Sequence, residues 1–248
     1  PARQAAVNAG VNISKPAHII NQVCGSGLRA VISGYQSIKL GEVKCVISGG
    51  QENMSLAPHS ILFRNNTKIT QDQLTNTMIK DGLIDAFNNY HMGVTAENVA
   101  KKFNITRDEQ DNFALDSQKK TETAIIKNRF EEELVKINQK ESIINKDEHP
   151  RKGLIKSDLE KLKTVFLKNG TVTPGNSSGI NDGAAALLLT TLNEAKKKSI
   201  EPLARIISWA SVGVEPSLMG LGPIEAVRLA IKKAKWNLNE IDLFEINE

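Results

Sequence analysis

The sequence predicts an α/β protein assembled in segments of different character. Residues 1–50 alternate helix, strand, helix, strand, the order of a parallel sheet with crossover helices. Residues 54–180 turn polar, rich in Lys, Asn and Thr, with helical patterns but few strand runs. Apolar strands return after 180, and the strand, helix and strand beyond 200 resemble the opening alternation.

The elements follow in order. Ile19 to Val23 is an apolar run ending at Cys24, and Gly25 and Gly27 turn it into a helical pattern with Val31, Ile32, Tyr35 and Ile38 on one face and a stop at Gly41. Val43 to Ser48 reads as a strand closed by Gly49 and Gly50. A helix is expected to begin near Thr95. Thr106 and Glu109 spell a capping box that opens a long helix toward Arg129, since the hydroxyl accepts from the backbone while the carboxylate reaches back. Ala184 to Thr191 and Leu203 to Val214 read as strands, and Gly222-Pro223 opens a helix through Lys235, with proline in the first turn. Ile241 to Ile246 is a final strand pattern with no closing helix. The chain is therefore expected to be incomplete at both ends, Pro1 standing where a complete chain would start with methionine.

Composition excludes several function classes. Two cysteines cannot build a disulfide framework, no Cys/His cluster has metal-ligand spacing, and a reducing cytoplasmic setting is expected. No apolar run approaches the length of a membrane span and no signal peptide is visible. The net charge of +4 comes from 32 basic residues dispersed among 28 acidic ones, and 4% aromatic residues leave few stacking platforms, so no nucleic-acid partner is expected.

Cys24 has the setting of an activated nucleophile. It closes an apolar run immediately before a helix, whose unpaired N–H groups stabilise negative charge, and the anionic sulfur is the attacking form. The flanking glycines let a substrate carbonyl approach the backbone closely. Cys45 is the internal contrast, a strand cysteine with no following turn into a helix, and is read as a small buried hydrophobe.

Two loops stand out. Gly170, Gly175, Gly179 and Gly183, with Pro174, Asn176 and Asn181, crowd the segment before the strand at 184. That segment is too polar to pack and too constrained for a flexible linker, and its composition fits a structural turn or a binding loop equally. Asn89-Tyr90-His91-Met92-Gly93 sets a histidine ahead of a helix, as a base for Cys24, a capping residue or a surface histidine.

Five stretches together resemble the thiolase family: Ile20 to Leu28, Gly49 to Ser55, His91-Met92-Gly93, Asn176 to Ala185, and Phe244 to Glu248. Their order and approximate spacing run over essentially the whole chain, most like the acetyl-CoA C-acetyltransferase branch of the family.

The resemblance implies a layered fold of two similar α/β halves with an inserted loop domain: residues 1–53 in the first half with the nucleophile, 54–180 as the CoA-binding insertion, 181–201 returning to the first half, and 202–248 opening the second. It implies condensation of two acetyl-CoA to acetoacetyl-CoA and CoA, and the reverse thiolysis, through an acetylated Cys24 whose own N–H donates to the oxyanion. Such a donor contributes about 3 kcal/mol in other acyl-transfer enzymes. Asn247 would hold the water that stabilises the second substrate's enolate oxygen. His91, now better read as a pocket residue than as the base, and Met92 would line the acyl end. Met92 and Met219 would narrow the pocket, Leu83 would contact the cofactor, and Arg151 would stand beside the nucleotide. Phe166, Ser178 and Ile180 would line the pantetheine tunnel.

CoA thioesters are the implied substrates, with no tightly bound cofactor and no metal, in a homo-oligomeric dimer or tetramer. The family's catalytic histidine, in Gly-His-Pro, and second cysteine, in Cys-x-Gly-Gly, fall beyond the Asn-Glu pair, so the 248 residues alone are expected to be inactive. Longer-chain 3-ketoacyl-CoA cleavage, a non-catalytic acyl-CoA-binding remnant and an unrelated cysteine hydrolase are the alternative readings, the loop motifs opposing the last.

Overall fold

A computed structural model describes residues 1–63, 70–138 and 142–247, with Asp72 described by its main chain only. Glu248, the last residue of the terminal motif, lies outside the described residues. In chain order the principal elements are α1 (Ala2–Asn8), α2 (Ser26–Lys39), β1 (Cys45–Asn53), β2 (His59–Ser60), β3 (Thr75–Asn76), a π-helical turn (Met78–Leu83), β4 (Ile84–Asp85), β5 (Tyr90–His91), α3 (Met92–Phe103) and α4 (Arg107–Ile126). They continue with β6 (Ile137–Asn138), β7 (Ile143–Ile144), α5 (Lys156–Glu160), β8 (Asp182–Thr190), α6 (Leu192–Lys197), a 3-10 turn (Pro216–Leu221) and α7 (Gly222–Ala234). They form two compact units, Pro1–Leu56 with Asp182–Trp209, and Ala57–Asn181 with Ala210–Glu248.

The first unit is organised by β1 and β8, which pair antiparallel from Cys45↔Thr190 to Asn53↔Asp182. Helix α2 lies on this ribbon. Gly34 makes that possible, because a Cβ there would stand 2.5 Å from Ser48 Oγ and 3.1 Å from Val46 Cγ1. Side chains alternate across a strand, so Val46 and Ser48 face the helix while Cys45 and Ile47 point away, and both of the latter are exposed. The buried position expected for Cys45 is thereby corrected.

Three predicted strands are also corrected. Ile19 to Val23 forms no ladder beyond an isolated bridge at Gln22 and Cys24. Its backbone donors are taken locally: Asn21 Oδ1 accepts from Val23 N–H at 2.9 Å and Ser26 Oγ from Gln22 N–H at 2.8 Å. Side-chain acceptors of this kind compete directly with a sheet ladder. Residues 203–214 and 241–246 have no regular strand either, and Leu203 and Leu243 are 101% and 83% exposed. An alternating apolar segment becomes a strand only against a partner ladder, and none of the described residues supplies one. The ladder of β1 is antiparallel, where the opening alternation predicted a parallel neighbour.

The second unit packs α3, α4 and α5 around Ala100, Leu115, Leu159 and Val172. Helix α4 starts at the expected capping box, with Thr106 Oγ1 accepting from Glu109 N–H at 3.2 Å and Glu109 Oε2 accepting from Thr106 N–H at 2.7 Å. Arg107 then ties α4 to α5: Nε donates to Asp111 at 2.7 Å, and the guanidinium donates to the carbonyls of Leu159 and Leu162 at 2.6 and 3.2 Å. Asp111 is 1% exposed, and its other oxygen accepts from Asn176 Nδ2 at 3.0 Å. The helix expected near Thr95 starts at Met92, because its N-cap is a histidine rather than one of the usual capping residues.

Candidate functional site

Cys24 is exposed on a tight turn that enters α2 through Gly25. Gly25 N–H donates to Gln22 O at 3.0 Å and Ser26 N–H to Val23 O at 3.1 Å, while the Ser26 hydroxyl donates to Val23 O at 2.6 Å. These bonds hold Val23 at φ +48°. A β-branched residue in the left-handed region is a genuine outlier, costing on the order of 1–3 kcal/mol. The strain sits one residue before the thiol, where the sequence alone gave no sign of it. Gly27 and Gly50 approach closely: a Cβ on Gly50 would stand 3.4 Å from Gly27 Cα.

Cys24 belongs to the first unit and the other candidates to the second. There α3 gathers several of them. His91 and Met92 stand at its start, and the His91 ring stacks on Phe166 with centroids 4.6 Å apart and planes 19° from parallel. Gly93 leaves the space for that stack, since a Cβ there would lie 2.2 Å from the Phe166 ring. Leu83 precedes β4, whose Ile84 pairs with His91 across the ladder to β5. The 3-10 turn bearing Met219 packs on α3, where Asn98 Nδ2 donates to Ser217 O at 3.0 Å. Beside Met219, Gly220 borders a shallow groove of about 320 Å³, also lined by Pro223, Ile224, Phe244 and Asn247.

Ser178 and Ile180 are exposed at the far end of the glycine-rich loop, whose near end is gripped by α3 and α4. The main-chain N–H of Arg151 donates to Gln118 Oε1 on α4 at 2.8 Å. Of the three readings open for His91, the structure shows a cap: Nδ1 accepts from Gly93 N–H at 3.0 Å, which puts the proton of the neutral ring on Nε2.

Burial lowers the pKa of His91 from its ordinary 6.5, and a helix N-terminus further disfavours a cation. Between the depressed value and 6.5 the unfolded chain binds more protons than the folded one, so the stability from this cap is complete above 6.5 and is lost as pH falls through the folded value. Urea unfolding of the protein and of His91→Asn, which keeps a capping acceptor without the titration, will show the fall in that interval only when histidine is present. Asp85, Glu109 and Asp182 are also lowered, each mainly by hydrogen bonds to its carboxylate, and they act only in the more acidic carboxylate range.

Among the described residues no group of three or more His, Cys, Asp or Glu side chains could hold a metal ion, and no helix is long and apolar enough to cross a membrane.

Residues 1–193 match the family model of the thiolase N-terminal domain and residues 200–248 that of the thiolase C-terminal domain. The chain belongs to the thiolase family. It is 51% identical over 252 residues to an acetyl-CoA acetyltransferase of Rhizobium meliloti (strain 1021), and 47% identical over 254 residues to the cytosolic acetyl-CoA acetyltransferase of Mus musculus. Both alignments take in 100% of the chain and 64% of the relative, so the chain spans just under two thirds of the length of these thiolases. Among solved structures it is similar to human mitochondrial 3-ketoacyl-CoA thiolase in complex with CoA, at a TM-score of 0.92 and 36% identity, covering 98% of this chain and 62% of that one. That likeness establishes the α/β thiolase fold.

Sequence reasoning missed Glu97, which is 6% exposed. Its signal was available: Gly93, Glu97 and Ala100 recur at i, i+4 and i+7, which sets a carboxylate in the buried stripe of α3.

Proposed function

We propose that this thiolase chain carries the nucleophile and the CoA-binding surface of an acetyl-CoA C-acetyltransferase. The observation that carries the proposal is the exposed Cys24 thiol on a strained turn at the start of α2. The Cys24 sulfur adds to the acetyl carbonyl of acetyl-CoA, the carbon–sulfur bond to CoA breaks, and CoA leaves with a proton to give acetyl-Cys24. A second acetyl-CoA loses an α-proton, its carbanion attacks the acetyl-Cys24 carbonyl, and acetoacetyl-CoA leaves as the Cys24 thiol reforms. Thiolysis is the same sequence reversed. The Cys24 N–H serves the oxyanion, Asn247 orients the water at the enolate, and the histidine and second cysteine of the family's Gly-His-Pro and Cys-x-Gly-Gly motifs carry the protons.

His91, Met92, Phe166 and Met219 shape the acyl and pantetheine end, Leu83, Ser178 and Ile180 extend it, and Arg151 faces the nucleotide. The neighbourhood of His91, Phe166 and the Met219 turn around α3 supports this grouping. We assign residues 1–53 and 181–201 to the first half, 54–180 to the CoA-binding insertion and 202–248 to the second half. A cytoplasmic homo-oligomer, dimer or tetramer, with no tightly bound cofactor, acting in lipid metabolism, completes the proposal; similarity to the cytosolic mouse acetyl-CoA acetyltransferase supports the compartment.

The test is CoA-dependent thiolysis of acetoacetyl-CoA by the polypeptide translated from the whole reading frame. Cleavage of acetoacetyl-CoA in preference to a ten-carbon 3-ketoacyl-CoA supports the proposal. Preference for the longer substrate favours the 3-ketoacyl-CoA reading, which the likeness to the human mitochondrial thiolase keeps in view. Stable acetylation of Cys24 without turnover identifies an acyl-CoA-binding remnant.

A further inference from the structure

Glu97 makes one of the most concentrated polar contacts among the described residues. Its Oε1 accepts from the N–H groups of Thr171 and Val172, each at 2.8 Å, and its Oε2 accepts from Thr171 N–H at 2.9 Å and Thr171 Oγ1 at 2.8 Å. The carboxylate lies against Gly170, where a Cβ would stand 2.2 Å from Oε1, so only glycine leaves it room. Two backbone donors and a hydroxyl thus converge on one buried anion from a segment 74 residues away in sequence.

The two sides of this contact both lead to proposed CoA contacts. Glu97 stands on α3, whose first residues are His91 as cap and Met92. The segment it grips continues one way to Ser178 and Ile180. The other way it folds back through Val165 N–H, which donates to Val172 O at 3.1 Å, to Phe166, the ring stacked on His91.

We propose that Glu97 is a positioning residue that fixes the 165–180 loop against α3 and so sets the width of the pantetheine site. This rests on the acyl-CoA reading above. Glutamine is nearly isosteric but replaces one acceptor oxygen with an NH₂ donor. Backbone N–H groups face both oxygens of the Glu97 carboxylate, so the NH₂ of the variant meets an N–H donor whichever way the amide turns, while the Thr171 hydroxyl alone can turn to accept.

The experiment titrates CoA by calorimetry into the protein, Glu97→Gln and Thr171→Val, with thermal unfolding of each in parallel. Glu97→Gln is expected to raise the Kd for CoA about tenfold and Thr171→Val, which deletes the hydroxyl donor to Glu97 together with the acceptor of Gln110 Nε2, about threefold. Hydrogen exchange at the amides of 171 and 172 is expected to quicken in Glu97→Gln. A merely structural role predicts a lower Tm with unchanged Kd in the folded variants, and that result overturns the inference. Should Glu97→Gln fail to fold, an unchanged Kd in Thr171→Val overturns it equally. If the unsubstituted protein binds no CoA, the acyl-CoA reading falls and takes this inference with it. If it binds CoA and the variants bind equally well, only the inference falls.

Discussion

In the polypeptide translated from the whole reading frame, replacing Cys24 with serine is expected to lower acetyl transfer from acetyl-CoA by about 10⁴-fold, the scale of loss when a covalent nucleophile is removed. Serine keeps the size of the side chain and the turn that presents it, so the loss reports the chemistry of sulfur and not a cavity. A hydroxyl offers almost no anion near neutral pH, while a thiol offers some even without help. Cys45 supplies the control, being also exposed but pointing away from α2 on β1. Cys45→Ser is expected to transfer acetyl at the unsubstituted rate. The measurement is intact-protein mass after incubation with acetyl-CoA, followed by thiolysis rates. Transfer retained in Cys24→Ser, or lost in Cys45→Ser, would remove Cys24 from the mechanism.

The second large effect concerns Asp111. Its carboxylate joins three parts of the second unit: α4 through Arg107, α5 through that guanidinium's bonds to Leu159 O and Leu162 O, and the glycine-rich loop through Asn176. Asp111→Ala leaves the Arg107 cation, whose side chain is 27% exposed, without its anion, and deprives Asn176 of one acceptor. Breaking a buried ion pair by removing one partner costs about 3–5 kcal/mol, and partial exposure of Arg107 places the expectation near the lower bound, about 3 kcal/mol. Denaturant unfolding should show a lower midpoint with an unchanged m value. Asp111→Asn, which still accepts from Asn176, is expected to lose less. Equal stability of Asp111→Ala and the unsubstituted protein would show that the network contributes nothing net.

Elements whose signals are local were legible in the sequence. The capping box at Thr106 marked the start of α4, Gly222-Pro223 that of α7, and the run from Ala184 gave β8. Misreadings arose where a side chain overrode the pattern. Asn21 and Ser26 took the donors that would have made Ile19 to Val23 a strand, and His91, an uncommon cap, moved the start of α3 three residues ahead of Thr95. Cys45 was misjudged because the face a strand residue occupies depends on which side its helix covers. The candidate site was read by resemblance, while Glu97 escaped because a glutamate within a short helix normally belongs to a solvated face. Its partners Thr171 and Val172 lie far along the chain, and only folding pairs them.

The positive φ of Val23 leads to the expectation that heat resistance and thioester formation compete at this one codon. A library randomised there and sorted only for survival after heating should enrich glycine and asparagine, which occupy positive φ at little cost. The same library sorted for thioester formation should return valine, whose stiff side chain denies the turn alternative shapes. Divergent winners from the two sorts would identify residue 23 as a place where rigidity was retained at the expense of stability.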